Sequence, residues 1–425
     1  MTHDIHLEHI TKIEGDATLK VRIEKGRVET VELRVLEGAR FFEGIIKRKN
    51  YRDVTSLVSR ICGICSCIHQ AASLKTLETA LEVEPSEQTL LLRELMCLGE
   101  RLRSHATHLY FLALPDYLGF GSAVSMGKKH KDKIARALRI VALGNDIVET
   151  VGGRDIHPVT GVVGGFSKMP TENEMDSLLK RVKAIKQDAV ETAELFSKLK
   201  YPTFERETQY FALEDRESYS LLEGEISCVG NYCIPVNTYV QHFEEYIKPY
   251  STAKFVVAEK KGYRVGSLAR VNNNMKFMSR DARKIIKNSG IKFPNHNPFV
   301  NNFCQAVENV HEVDRIIEIL NSLELKDEKP PEVKVKACHG VSAVEAPRGI
   351  LFHDYELDGK GNLAKANIIT PTQQNLLNIE DDIRAYLPML LSLEKERIIL
   401  ELEKLIRSYD PCISCSTHFL KVKGL

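Results

Sequence analysis

The first forty residues alternate apolar and polar side chains with a period of two. Leu19, Val21 and Ile23 share one face, Lys25-Gly26 is turn material, and Val31, Leu33 and Val35 share the next face. A period of two places successive side chains on opposite sides of a strand, so this stretch predicts an antiparallel hairpin. Further on the period becomes helical. Leu91, Leu95, Leu98, Leu102 and His105 recur at helix spacing after Pro85-Ser86, and this helix, which also carries Ser104 and His108, is expected to end before Pro115. A second helix is predicted over 131–151, stopped by Gly152-Gly153. A third opens with a capping box, Thr171 and Glu174 after Pro170, and runs to the break at Tyr201-Pro202. Residues 203–300 carry only short β-like pieces, Phe255-Val256-Val257 and Tyr263-Arg264-Val265, on either side of a Lys260-Lys261-Gly262 turn. Helix spacing returns at Phe303, Val307, Val310, Val313 and Ile317. The charged stretch 324–332, containing Pro330-Pro331, reads as a surface linker. A β-like stretch leads to Glu345, and a last helix begins near Gln373, is interrupted by Pro388 and resumes over 391–408.

These elements describe a mixed α+β chain that is mainly helical. We expect one intertwined unit over 1–425: an N-terminal β-hairpin region (1–60), a helical core (61–202), a mixed β and loop region (203–300), and a closing region of helices and tail (301–425). With 43% hydrophobic and 28% charged residues the composition is globular, and 59 basic against 58 acidic residues leave a net charge of +1. Nothing in that balance favours nucleic acid or an anionic membrane as a partner. No run of 18 apolar residues predicts a membrane span, and the start, Met1-Thr2-His3-Asp4-Ile5, lacks the basic and apolar regions of a signal peptide. A cytoplasmic location is the expectation.

Cysteine placement changes the picture most. Ten cysteines in 425 residues are no disulfide framework. Four of them form two C-x-x-C turns, Cys62-Gly63-Ile64-Cys65 and Cys412-Ile413-Ser414-Cys415, each followed closely by a histidine, His69 or His418. One such turn lets two thiolates converge on one metal, so two turns supply four sulfurs. Zinc, an iron–sulfur cluster and nickel all accept four soft thiolates, and ligand type does not choose among them. Structural zinc ribbons keep their two turns within roughly 15–20 residues. Here Cys62 and Cys412 stand 350 positions apart. That separation points to a deep centre closed from both ends of the chain. The other six cysteines show no iron–sulfur spacing, and most read as small buried hydrophobes. No G-x-G-x-x-G stretch is present, so any nucleotide binds elsewhere.

At these residues the chain resembles the large, catalytic subunits of nickel–iron hydrogenases. The family's R-x-C-G-x-C-x-x-x-H is matched by Arg60, Cys62, Gly63, Cys65 and His69, and its D-P-C-x-x-C-x-x-H by Asp410, Pro411, Cys412, Cys415 and His418. Further family-like stretches run from Glu37 to Glu43, from Gly153 to Pro158, from Glu345 to Gly349 and over Thr370-Pro371-Thr372, so the resemblance spans nearly the whole chain. It implies a central bundle of long helices with small peripheral β elements. It also implies the roles that follow: Cys65 and Cys415 bridge nickel to an iron carrying cyanide and carbon monoxide, while Cys62 and Cys412 bind nickel alone, which leaves Cys67 without a ligand role. Glu43, a backbone carbonyl near Ile368, and His418 would hold a separate magnesium or iron ion. Arg348 would lie over the metals, paired with acidic groups such as Asp410, as base or as electrostatic support. The proton released on splitting dihydrogen would go to the Cys412 thiolate or the guanidinium region of Arg348, and from Cys412 it would pass to Glu14.

Two departures from the family stand out. Lys12-Ile13-Glu14-Gly15-Asp16 replaces the family's R-I-E-G-H, and Ser104 stands where many members have aspartate. His157 reads as a buried, hydrogen-bonded residue. Family precursors usually extend beyond the final histidine, whereas only Phe419 to Leu425 follow here. The resemblance further implies an iron–sulfur small subunit as electron partner, with flavin, NAD(P) or ferredoxin-linked subunits beyond it, as in the soluble cytoplasmic enzymes. Two rival readings are a non-catalytic core subunit of the complex I kind, which lacks the cysteines, and a structural zinc protein.

Overall fold

A computed structural model describes residues 2–38, 41–229 and 233–417. Its centre is a ring of four long helices, Glu87–Thr107, Lys131–Gly152, Glu172–Ser197 and Asn301–Ser322, each packed on the next around the ring. The predicted capping box is present: the Thr171 hydroxyl accepts from Glu174 N–H while the Glu174 carboxylate accepts from Thr171 N–H. Gly153 ends the second helix in a left-handed conformation, as a glycine stop should. The Glu87–Thr107 helix departs from expectation, because the chain stays helical through Pro115. A π-helical segment, His108–Ala113, is followed by a last turn, Leu114–Tyr117, where the proline sits in the first turn and its missing N–H costs nothing.

The short Ser66–Leu81 helix lies between this bundle and an antiparallel sheet of Cys338–Ala346, Gly349–Leu357 and Leu363–Ile369. The predicted N-terminal hairpin turns at Lys25-Gly26 and pairs Leu19 with Leu33, and a third strand, Thr2–Leu7, extends it. This sheet shares a hydrophobic core with Pro371–Tyr386 and Lys395–Ser408, so the two ends of the chain fold together. Pro388 does interrupt helix there, in a 3-10 turn over Leu387–Leu390, but α-helix resumes only at Lys395 because 391–394 forms a turn with Glu394 as its cap.

Between 203 and 300 the β-like pieces are real but do not pair with each other. Lys254–Ala258 pairs antiparallel with Phe243–Ile247, whereas Tyr263–Arg264 runs parallel to Gln209–Glu214. The region also contains two helices, Ser267–Asn274 and Arg280–Ser289, that the expectation of strands and loops missed. Stretch 323–337 carries no regular element, in keeping with a linker. Among the described residues no helix is long and apolar enough to cross a membrane.

Candidate metal centre

The early cysteine turn lies between a 3-10 turn ending at Ile61 and the first residue of the Ser66–Leu81 helix. Two residues on the inner face of Glu87–Thr107 fix it. The buried Glu100 carboxylate accepts from Cys67 N–H at 2.6 Å and Ile68 N–H at 3.1 Å, capping that helix start. Arg103 ties the Ile64 carbonyl at 3.3 Å to the Asp155 carbonyl at 2.7 Å, clamping the turn to the 153–158 loop. In that loop His157 is half-buried, and its Nδ1 pairs with the Ser59 carbonyl at 2.9 Å. Burial pushes the Glu100 carboxyl up to about 7, against the pull of Arg103 and of the two N–H donors.

The late turn arrives by a different route. Helix Lys395–Ser408 ends with Asp410 in a left-handed conformation (φ 50°) followed by Pro411, a stop that turns the chain sharply inward. Residue 412 then pairs with Glu14 in an isolated parallel bridge, and Ile413 N–H donates to the Glu14 carbonyl at 2.9 Å. Gly15 makes this approach possible: a Cβ there would stand 2.6 Å from Ile413 Cβ. Cys412 N–H donates to Thr372 Oγ1 at 2.9 Å, which gives the Thr370-Pro371-Thr372 stretch a job.

The two turns meet. Cys62 and Cys412 sulfurs are 3.4 Å apart, Cys65 and Cys415 3.1 Å, Cys412 and Cys415 3.0 Å, and all four lie within 4.8 Å of one another. All four thiols are buried and none is in a disulfide, the separations being well beyond the roughly 2 Å of an S–S bond. Burial pushes the Cys412 and Cys415 thiols well above their ordinary range, while hydrogen bonds from Cys412, then Cys415 and Cys65, hold Cys62 well below it. Protein alone thus favours few thiolates here, and a divalent cation is what would deprotonate the rest. A converged four-sulfur donor set fits nickel and iron, although zinc would accept the same donors. Cys67 is buried with its thiol pushed well up by burial, and it is not part of the four-sulfur group.

Arg348 sits at the turn between strands Cys338–Ala346 and Gly349–Leu357. Its Nε donates to the Asp410 carbonyl at 2.7 Å, Nη2 to Asp410 Oδ1 at 3.0 Å and Nη1 to Ser104 Oγ at 3.3 Å. Burial opposes its charge, but Asp410 and then the Cys412, Cys65 and Cys62 sulfurs hold its pKa well above even the usual arginine value. Gln305 completes the group, donating to Asp410 Oδ2 at 3.0 Å and pairing with His108 Nδ1 at 2.5 Å. His69 stands 3.9 Å from Cys415 Sγ and passes through His353 (3.4 Å) to Tyr355 (2.5 Å).

Glu14 is half-buried beside the late turn, with Ser414 N–H on its Oε2 at 3.0 Å and the Ser414 hydroxyl on Oε1. Glu43 Oε1 accepts from the N–H of Ile368 at 3.0 Å, which sets Glu43 beside this strand through the amide and not through the carbonyl expected as a ligand. Lys254 Nζ lies 3.6 Å from Glu43 and 3.1 Å from Glu245. His418, the third expected member, lies outside the described residues, as does the tail after it.

Gln305, Glu100 and Arg103 are not marked out by the sequence, and Thr372 and Ser414 stand in its motifs without a role of their own. One signal was available for Gln305: Asn301, Gln305, Glu308 and Glu312 form a polar stripe along a helix whose surroundings are apolar.

Comparison with known proteins agrees with this geometry. A family model described as nickel-dependent hydrogenase matches residues 40–146 and 297–418. The alpha subunit of sulfhydrogenase 1 from Pyrococcus furiosus is 33% identical over 422 residues, covering 98% of each chain. The alpha subunit of sulfhydrogenase 2 from the same organism is 32% identical over 423 residues, covering 98% of this chain and 100% of that one. Among solved structures, an NAD+-reducing NiFe-hydrogenase in the H2-reduced state superimposes with a TM-score of 0.89 over 98% of this chain and 99% of that one, at 24% identity.

Proposed function

We propose that this chain, which belongs to the nickel-dependent hydrogenase family and is its nickel–iron catalytic subunit, holds its metals through Cys62, Cys65, Cys412 and Cys415. The observation that carries the reading is the meeting of four buried sulfurs from both ends of the chain beside the Arg348–Asp410 pair. By likeness to the family, Cys65 and Cys415 would be shared by nickel and iron, Cys62 and Cys412 would hold nickel alone, and iron would carry cyanide and carbon monoxide besides. When bound, the two metals supply the heterolytic splitting of dihydrogen into protons and electrons.

The chain's own residues handle the proton. A thiolate in a buried, low-dielectric site is a competent acceptor, and that role is assigned to Cys412 Sγ by likeness to the family. Glu14, bridged to residue 412 and half-exposed, receives it next and returns it to solvent. Arg348 does not act as base, since a guanidinium held by Asp410 keeps its protons. It acts as a fixed cation that keeps the pocket polar and orders Asp410.

Electrons leave through an iron–sulfur small subunit and pass on to NAD(P) or ferredoxin. The alpha-subunit names of the Pyrococcus proteins support a multi-subunit assembly, and exposed Ile156, beside Gly63 of the early turn, offers an apolar contact near the metals. Glu43, a carbonyl near Ile368 and His418 are assigned a separate hard ion, magnesium or iron. The test is elemental analysis of the native complex together with hydrogen uptake. One nickel per chain, lost with uptake in C412S, supports the assignment, and zinc alone in the four-sulfur site rejects it.

A further inference from the structure

Arg270 lies in the Ser267–Asn274 helix, outside the metal centre, with a fully buried side chain. Its guanidinium is saturated. Nε and Nη2 grip Glu308 as a fork at 2.6 and 2.9 Å, Nη1 donates to Glu345 Oε2 at 2.9 Å, and Nη2 also reaches Ser267 Oγ at 3.0 Å. Two further bonds go to backbone: Nη1 to the Ala346 carbonyl and Nη2 to the Pro347 carbonyl, both at 2.9 Å. Those are the two residues immediately before Arg348. Ala346 and Gly349 close the hairpin, so Pro347 and Arg348 form its two-residue tip. One planar cation therefore fixes the backbone from which Arg348 reaches Asp410.

We infer that Arg270 is a positioning residue for the reaction, acting through Arg348. The inference rests on the reading of Arg348 given above. A guanidinium held at both carbonyls and at Glu345 leaves the hairpin tip little freedom, and so sets how Arg348 stands towards Asp410 and the cysteines. The carboxylates matter in turn. Glu308 holds Arg270 from the Asn301–Ser322 helix, while Glu345 Oε1 accepts from Leu213 N–H at 2.8 Å, so four separate segments meet on this one residue and its partners. A lysine keeps the charge but cannot make the fork and the two carbonyl bonds together.

A double-mutant cycle on the native metal-loaded complex tests this, using R270K, R348K and the pair. R270K is expected to keep its nickel content and its KM for hydrogen within about twofold, while turnover falls on the order of tenfold to a hundredfold, the scale of a misplacement near 1 Å. In the R348K background the same change should cost less than about twofold, because the residue it positions is already altered. A merely structural role would give equal losses in both backgrounds, and that result overturns the inference. A crystal structure of R270K supplies a readout independent of turnover: the Arg348 to Asp410 contact, 3.0 Å here, should lengthen. Should R270K fail to fold, R270Q/E308Q/E345Q, which removes the guanidinium and both of its buried carboxylate partners, enters the same cycle. Full turnover in R348K would reject the reading of Arg348 itself and this inference with it. Impaired R348K beside fully active R270K would reject Arg270 alone.

Discussion

Replacing Glu14 with glutamine separates proton relay from structural clamp, because the surroundings of this residue tolerate the swap. The glutamine oxygen can keep the 3.0 Å bond from Ser414 N–H, and its amide can donate to the Ser414 hydroxyl, which accepts as readily as it donates. The bridge to residue 412 uses only backbone and is untouched. What is lost is one charge-assisted bond, about 1 kcal/mol. For a chain of 425 residues, with an unfolding entropy of about 0.9 kcal/mol per degree, that is about 1 °C in Tm. Proton acceptance, by contrast, is abolished, and a positioned acid–base group is worth about 10²- to 10⁴-fold in rate. The expected profile for E14Q is therefore unchanged nickel, nearly unchanged Tm, and hydrogen uptake reduced by at least about a hundredfold. Nickel by mass spectrometry, thermal melting and uptake with an artificial electron acceptor measure the three quantities. S414A, which removes only the hydroxyl partner, should stay within a few-fold of the parent. Full uptake by E14Q would remove Glu14 from the path, and loss of nickel together with uptake would make it a clamp.

Three other outcomes are expected. In G144A the new Cβ would stand 2.6 Å from the Gly99 carbonyl and 2.7 Å from Arg103 Cβ, forcing apart the two helices that present Arg103 to the early turn; overpacking of about 1–3 kcal/mol should lower Tm by about 1–3 °C and weaken nickel retention, whereas G121A, with open space around it, serves as a neutral control and equal melting of the two would refute the crossing argument. Burial raises the Glu312 carboxyl to about 7, above its unfolded value, so the stability it contributes is complete below about pH 4.5 and is lost as pH rises through about 7; E312Q should flatten the fall of Tm between pH 5 and 8, and an unaltered slope would show that Glu312 does not titrate there. E43Q should lower the magnesium or iron not accounted for by the nickel site while nickel stays bound, and parental metal content would place that ion elsewhere.

Cysteine spacing and the motifs at the two ends mark the centre in the sequence, and the sulfurs do converge. How they are held is not legible there. Glu100 and Arg103 look like the polar face of an ordinary amphipathic helix, yet both are buried and aimed at backbone groups of the early turn. Nothing in a one-dimensional pattern distinguishes a charged side chain facing solvent from one capping another helix. Pro115 misled for a related reason: proline breaks a helix interior but suits a first turn, and a π-helical segment before it restarted the count. Between 203 and 300 local periodicity marks Lys254–Ala258 and Tyr263–Arg264 but not the strands they pair with, Phe243–Ile247 just upstream and the more distant Gln209–Glu214. The two helices missed there are short, and Asn272-Asn273-Asn274 inside one of them argues against helix by propensity while serving as hydrogen-bond donors and acceptors to neighbouring strands and loops.

The pairing of residue 412 with Glu14 has a bearing on how the protein is built. All four thiols are nearly inaccessible to solvent once the last segment has docked, and that segment docks by leaning on the first sheet and on Thr372. An ion that reaches these sulfurs from solvent therefore has to do so before residues 410–417 close over them, which couples loading of the site to docking of that segment.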